Sequence, residues 1–291
     1  MLVTPAMSRL ATRALVVASL VFACGCGGST GTTGTDGDAE SLDPDESALT
    51  GGWSAIGNGV AYKSTGAGDG VFIGYAGYSV TIDRSAAWVD ALVDARLRTL
   101  HVGHVYAVRG PTDPRYAAKD IGNTKLAAHL VGGPGPAAPF VLVAAHSSGS
   151  YVAHELLGQV FDGDRDPDHV LANKVVYADL DGGEGGLDAH IFSALHHIAF
   201  VWADDTKLSQ GRSANGFLME SLGEQHPHGG IGLIVDHSGC ESGAKWCLHD
   251  LLITTRPHNP ATFDLVRDYT DFAGRPVQDG WIRQLESYLP Q

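Results

Sequence analysis

The chain has 291 residues, a formal net charge of −14 and only four cysteines. A nucleic-acid-binding surface needs a basic patch, so 33 acidic against 19 basic residues argue against a nucleic-acid partner. Hydrophobic residues make up 44% of the chain, which is enough for a sizeable core and excludes a wholly disordered protein. Four cysteines are also too few for a disulfide scaffold.

The negative charge is unevenly distributed. Residues 24–50 carry six acidic residues and no basic one, and they are rich in Gly and Thr. Such a segment cannot bury enough apolar area to fold, which predicts a flexible tether. From residue 51 onward, 27 acidic residues face 17 basic ones. Part of the acidity therefore lies outside the predicted fold, and residues 51–291 have the length of one domain.

An export signal is predicted at residues 1–23. Arg9 and Arg13 precede a ten-residue run at 14–23 that is apolar except for Ser19. This run has the proportions of a signal-peptide hydrophobic region and is too short to span a hydrocarbon core of about 30 Å. The sequence therefore predicts an exported protein that is held in the cell envelope or secreted.

The end of the apolar run, Val21-Phe22-Ala23-Cys24, resembles the lipobox of bacterial lipoproteins. Cleavage before Cys24 would free this residue for lipidation, and Cys26 offers a second register. The resemblance implies membrane attachment through a lipidated N-terminal cysteine. The tether at 24–50 would then hold the domain clear of the membrane surface.

The two remaining cysteines, Cys240 and Cys247, are separated by six residues. In an exported protein this arrangement favours a disulfide that closes a small loop. Zinc is the less favoured alternative, because paired zinc ligands are usually closer in sequence, although His237 and His249 lie nearby. We expect neither a metal nor a cofactor.

β-rich and helical patterns alternate from residue 58 onward. The runs 58–63 and 71–80 flank a turn-prone segment and predict a hairpin. Further strands are predicted at 102–108, 139–145, 175–180, 198–203, 231–235 and 251–255, and helices at 85–100, 120–131, 151–161, 187–197, 215–222, 261–272 and 280–289. The alternation predicts an α/β fold in which helices cover both faces of a mostly parallel central sheet.

The apolar strand predicted at 139–145 runs into a serine-rich turn, and a helix follows. A serine nucleophile in such a strand–turn–helix adopts strained backbone angles. It needs small residues two positions before and after it, because the strand and helix backbones nearly touch there. Of the three serines in the turn, only Ser147 meets this test, with Ala145 and Gly149 as its flanks.

The sequence Ala145-His146-Ser147-Ser148-Gly149 resembles the α/β-hydrolase superfamily, and within it the lipases and esterases. Ala145 stands where the family usually has Gly, as it does in some lipases. The element order agrees with the family from about residue 55 to the end of the chain. The resemblance implies a serine hydrolase that cleaves small-molecule or lipid esters through an acyl-enzyme on Ser147. We expect a monomer, and the alternative is a non-catalytic, surface-tethered binding lipoprotein with the same fold.

The resemblance also implies an oxyanion hole, formed by backbone N–H groups that stabilise negative charge on the substrate oxygen. One donor is the residue after the nucleophile, here Ser148. The second would come from the glycine-flanked segment 74–77, where Tyr75 and Ala76 are the expected donors and Gly77 is left open. A structural glycine turn is the alternative interpretation of this segment.

The family order of nucleophile, acid and histidine places the acid at the end of a later strand. Asp205, which follows the predicted strand 198–203, is the expected acid. Asp204 in the same position and Asp181 after the preceding strand are the alternatives.

The base should follow the last strand of the sheet. His258 follows the predicted strand 251–255, sits between prolines that fix its loop, and precedes a predicted helix. It is therefore the expected base, and His237 is the alternative.

Overall fold

The computed structural model describes residues 49–112, 121–161, 166, 170–182, 189–203, 230–235, 269–270, 276–277 and 281–290. All of them belong to one compact unit, Ser41–Gln291. The predicted signal peptide, Cys24 and Cys26, and the cysteine pair Cys240 and Cys247 lie outside the described residues. None of the helices in the described ranges is both long enough and apolar enough to cross a membrane.

The described residues contribute ten strands to one sheet. The strands are β1 (Ser54–Gly57), β2 (Val60–Ser64), β3 (Gly70–Tyr75), β4 (Val102–Val108), β5 (Val141–His146), β6 (Val175–Leu180), β7 (His197–Ala203), β8 (Gly230–Val235), β9 (Tyr269–Thr270) and β10 (Pro276–Val277). Their order across the sheet is β1-β2-β4-β3-β5-β6-β7-β8-β9-β10. The neighbours from β4 to β8 are all parallel, and the pairs outside them are antiparallel. The prediction of a mostly parallel central sheet is confirmed.

Helices cover both faces of this sheet. They are α1 (Ile82–Leu92), which continues as a π-helical turn (Val93–Leu97), α2 (Asn123–Gly132), α3 (Gly149–Phe161), α4 (Ala189–Ala194) and α5 (Trp281–Glu286), with a short 3-10 turn at Ala172–Lys174. Buried residues of α1 and α5 pack in one core cluster, and those of α2, α3 and α4 pack in a second. The described elements therefore form three layers, helix–sheet–helix, as the alternating pattern predicts.

The central strand β5 shows why a continuous apolar run is needed at this place. Its residues 141–145 are at most 1% exposed, and successive side chains enter the two cores in turn. Leu142 packs in the core with α1, whereas Val143 packs in the core with α2 and α3. Side chains alternate across a strand, so a strand buried on both faces must be apolar at every position.

The hairpin predicted between 58–63 and 71–80 is wrong. β2 pairs with β1 and β4, and β3 lies on the far side of β4. The hairpin is β1–β2, whose two-residue loop is Asn58-Gly59, with Gly59 at φ +66°. Asn-Gly is a strong hairpin signal because both loop residues tolerate positive φ. β3, buried at all six of its residues, takes a central position instead.

The predicted bounds of β4 and β6 agree with the structure. The helix predicted at 261–272 is wrong at its C-terminal end. There Tyr269–Thr270 form β9, which pairs antiparallel with β8. An added strand satisfies backbone groups that an open sheet edge leaves unpaired, and this gain outweighs a weak helical pattern. The predicted helix 215–222 and strand 251–255 lie outside the described residues.

We expect Val143→Ala to lower the free energy of unfolding by about 2 kcal/mol, since it removes two buried methyl groups and leaves a cavity. Val143 is 1% exposed, whereas Val170 is 55% exposed and provides a matched control for the same substitution. Val170→Ala should change stability by less than about 0.5 kcal/mol. Urea unfolding followed by circular dichroism measures both, and equal effects would contradict the assignment of the core.

Candidate active site

The ends of β3, β5 and β6 lie side by side at one edge of the sheet. Tyr75 of β3 pairs with Ala145 of β5, and His146 of β5 pairs with Leu180 of β6. Ser147 follows directly after β5, so it lies at the carboxyl edge of three neighbouring parallel strands. In open α/β sheets, ligands bind at this edge.

Ser147 has the strained backbone that the turn predicts. Its φ is +53°, in the left-handed region that residues other than glycine rarely adopt. Its N–H donates to Leu180 O at 3.0 Å. Its carbonyl oxygen accepts from Ser150 N–H at 3.1 Å and from Ser150 Oγ at 2.9 Å. Hydrogen bonds on both sides of the residue therefore hold the strained conformation in place.

The turn also needs the small residues that surround it. A Cβ at Gly149 would overlap Ala76 O and lie 2.9 Å from Tyr75 O, so the start of α3 lies directly against the loop after β3. A Cβ at Gly77 would lie 2.9 Å from His146 Nδ1 and 3.1 Å from Ser147 Cβ. The loop between β3 and α1 is thus packed against the Ser147 turn, through contacts that leave no room for larger side chains.

The backbone N–H groups of this loop differ in what they bind. The Ala76 N–H donates to Val108 O at 3.1 Å, so it is committed to the sheet. The Val71 N–H donates to Phe140 O, directly before β5. Every second residue of β3 directs its N–H to the same neighbouring strand, so the Tyr75 N–H also points to β5. Neither expected donor, Tyr75 or Ala76, therefore has an N–H that points freely to Ser147.

Two other backbone amides next to Ser147 remain unbonded. Within the described part of the chain, neither the Gly77 N–H nor the Ser148 N–H has a hydrogen-bond partner. Both residues are buried. Ser148 directly precedes α3, where backbone N–H groups have no partner within the helix, and an unpaired N–H beside a strained serine can donate to a ligand oxygen. The Ser148 hydroxyl, also buried, has no partner among the described residues either.

Most of the expected acid and base residues lie outside the described residues. Asp204 and Asp205 come directly after β7, which ends at Ala203. His237 comes two residues after β8, which ends at Val235, and His258 lies further along the chain.

Asp181 is the only candidate acid that the described ranges include. It follows β6 and has φ +52°, and it is half-buried. It is one residue beyond Leu180, whose carbonyl holds Ser147. Its backbone therefore lies beside the hydrogen bond that holds the Ser147 turn, although the two residues are far apart along the chain.

A buried carboxyl group, that of Asp179, lies near the end of the strand predicted at 175–180, beside the candidate acid Asp181. Asp179 lies on β6 and is 2% exposed. Burial, together with the nearby charge of Asp181, raises its pKa to about 8 against the opposing effect of hydrogen bonds from Gly182 and Tyr177. The signal in the sequence is an acidic residue inside the strand VVYADL, which is buried at every position. Buried carboxyl groups are rare unless they are paired.

Comparison of the chain with models of protein families, with curated proteins and with solved structures gives no significant match. In the residues that the structure describes, no group of three or more His, Cys, Asp or Glu side chains is arranged to hold a metal ion. The functional interpretation of this chain therefore depends on the geometry around Ser147.

Gly149→Ala should destabilise the protein by about 1–3 kcal/mol, because the added methyl group would overlap the backbone of the loop after β3. Gly158→Ala is the matched control in the same helix, since a Cβ there would lie 3.8 Å from Ile191 Cδ1. The control should stabilise the protein by about 0.5–1 kcal/mol through helix propensity. Chemical denaturation measures both, and a Gly149→Ala protein as stable as the wild type would refute the close contact.

Proposed function

We propose that this protein is an exported serine hydrolase with the α/β-hydrolase fold, which cleaves carboxylic esters through an acyl-enzyme on Ser147. The observation that carries the proposal is the backbone of Ser147, with φ +53° in the turn between β5 and α3. Left-handed geometry at a non-glycine residue is costly and is concentrated at functional sites. A serine held in this way between a strand and a helix is the arrangement of a nucleophile elbow.

The order of the elements supports the same fold. In α/β-hydrolases the second oxyanion donor comes from the loop between the third strand and the following helix. In this chain that loop joins β3 to α1, and it packs against the Ser147 turn. We therefore assign the two oxyanion donors to the N–H groups of Ser148 and Gly77. Gly77 replaces the sequence-based choice of Tyr75 or Ala76, because the Ala76 N–H is bound to Val108.

The reaction proceeds by acyl transfer. A histidine takes the proton of Ser147 Oγ, and Oγ attacks the carbonyl carbon of the ester. The carbonyl oxygen becomes negative and accepts hydrogen bonds from Ser148 N–H and Gly77 N–H. The intermediate collapses, the alcohol leaves with the proton from the imidazolium, and the acyl group stays on Ser147. Water, deprotonated by the same histidine, then attacks the acyl carbon and releases the acid.

The end of β8 bears on the identity of the base. β8 is the last parallel strand in the described ranges, and it ends two residues before His237. Its carboxyl end lies at the same edge of the sheet as Ser147, because the strands from β5 to β8 are parallel. This favours His237 as the base over His258. Asp205 remains the proposed acid that orients the histidine, with Asp204 and Asp181 as alternatives.

The substrate is proposed to be a small-molecule or lipid ester, taken up by a monomer without metal or cofactor. The signal-like residues 1–23 and the tether at 24–50 support export, with lipid attachment through Cys24 or release from the cell. A tethered binding lipoprotein that has lost turnover is the second candidate. The strained Ser147 favours the enzyme, because a binding protein gains nothing from holding a serine in this costly backbone conformation.

Ser147→Ala should abolish both hydrolysis of a short-chain aryl ester and covalent labelling by a fluorophosphonate probe. Loss of the nucleophile typically costs several orders of magnitude in rate. Ser54→Ala, which changes an exposed serine on the outer strand β1, is the matched control and should label like the wild type. Intact-mass measurement reads the adduct. A wild-type protein that is never labelled would support the binding protein instead.

His237→Ala should lower kcat/KM for the same ester by about 1000-fold or more, since it removes the base. His258→Ala should retain activity within about tenfold of the wild type, because a residue outside the catalytic machinery affects rate only indirectly. Steady-state kinetics at pH 8 measures both variants. The reverse pattern would assign the base to His258 and leave the nucleophile unchanged.

A further inference from the structure

A buried polar chain lies behind the Ser147 turn. Its members are His154 on α3 and Tyr177 and Asp179 on β6, and all three are at most 2% exposed. His154 Nε2 and the Tyr177 hydroxyl oxygen are 2.8 Å apart, and that oxygen is 3.3 Å from Asp179 Oδ2. The chain thus joins the helix that follows the nucleophile to the strand beside it.

Asp179 connects this chain to the segment that holds Ser147. The Gly182 N–H donates to Asp179 Oδ1 at 2.7 Å, which closes the turn through Asp181 with its φ of +52°. Leu180, inside the same turn, accepts the Ser147 N–H. One short segment is therefore fixed by Asp179 on one side and holds the nucleophile on the other.

The packing around this turn is tight. A Cβ at Gly182 would lie 2.7 Å from Asp179 Oδ2, 2.7 Å from Ser150 Cβ and 2.8 Å from Ser150 Oγ. Ser150 is itself bonded to the Ser147 carbonyl. A displacement of the Gly182 turn would therefore reach Ser147 through its N–H and through the first turn of α3.

We propose that Asp179 is a positioning residue for Ser147, which holds the 180–182 turn against the nucleophile by accepting the Gly182 N–H. The hydrogen bonds that hold this turn do not depend on the proposed function. The expected effect of Asp179 on the reactivity of Ser147 rests on that function.

The surroundings of Asp179 favour its neutral form. The titratable groups that face it in the described part of the chain are Tyr177 on β6, His154 on α3 and Asp181 in the turn. In register, its neighbours on β5 and β7 are Ala145 and Phe200, which carry no charge. No ion pair in the described ranges involves Asp179. A buried carboxylate without a cation is costly, so the proton is retained.

In the neutral acid the O–H donates to the Tyr177 oxygen and the Tyr177 O–H donates to His154 Nε2, whereas in the carboxylate the Tyr177 O–H donates to Asp179 Oδ2. In both forms the other oxygen accepts the Gly182 N–H. Burial raises the pKa of Asp179 to about 8, which favours the neutral form at pH 7. Ionisation above that pH would place an unpaired negative charge in the core and reverse the direction of the hydrogen bonds.

The change of stability with pH follows from the difference in proton binding by Asp179 between the native and unfolded states. The native state keeps the Asp179 proton up to a pKa of about 8, whereas the unfolded state loses it near the ordinary aspartate pKa of 3.8. The native state binds more protons between these values, so the contribution of Asp179 to stability falls as pH rises from about 4 to 8 and is level above that. Asp179→Asn removes this titration and should abolish that part of the pH dependence of Tm.

The test compares Asp179→Asn with Asp179→Ala. Asparagine keeps an oxygen for Gly182 N–H and a donor for Tyr177, whereas alanine provides neither. In Asp179→Ala the amides of Ser147 and Gly182 should exchange hydrogen about tenfold faster, and fluorophosphonate labelling of Ser147 should slow by about tenfold or more. Asp179→Asn should match the wild type within about threefold in both measurements at pH 7. If Asp179→Ala does not fold, Tyr177→Phe, which removes one hydroxyl group, should give the same pattern with smaller changes.

The pH profile separates positioning from simple structural support. Labelling of the wild type should fall as pH rises through about 8, and labelling of Asp179→Asn should not show this fall. The proposal is overturned by wild-type exchange and labelling in Asp179→Ala, or by the same alkaline fall in Asp179→Asn. If the wild type is not labelled at all, the proposed function fails. Amide exchange at Ser147 and Gly182 then still decides whether Asp179 holds the turn.

Discussion

The left-handed backbone of Ser147 is the constraint on which the rest of the site depends. A φ of +53° lets the chain reverse from β5 into α3 within three residues, and it brings α3 against the loop after β3. This conformation is unfavourable in isolation, so the fold must hold it. The fixed points are the carbonyl of Leu180, which binds the Ser147 N–H, and the side chain of Ser150, which binds the Ser147 carbonyl.

The contacts around Ser147 explain how a mostly parallel sheet can form the proposed active site. β3, β5 and β6 end side by side, and each contributes one part: the Gly77 loop, the serine turn and the 180–182 turn. Among the described residues, two backbone N–H groups next to the serine have no hydrogen-bond partner. The proposed activity requires donors that are fixed before the substrate arrives, because preorganised dipoles cost no reorganisation during the reaction.

Local patterns in the sequence predicted the elements that depend on few distant contacts. The apolar alternation gave the bounds of β4 and β6, and the small flanks of Ser147 indicated its strained turn. Pairing between distant segments was not predictable in the same way. The hairpin partner of β2 and the bond from Ala76 to Val108 both depend on which strands meet across the sheet. The hydrogen-bonded chain at Asp179 likewise depends on His154 of α3 meeting Tyr177 of β6.

The most direct test of the central claim is to trap the acyl group. A slowly turned-over aryl ester, quenched with acid during the first turnover and analysed by peptide mass spectrometry, locates the covalent intermediate. The account predicts one acyl group per chain, carried by the peptide that contains Ser147 and placed on that residue. Turnover with the acyl group on another residue, or turnover with no covalent intermediate on Ser147, would contradict it.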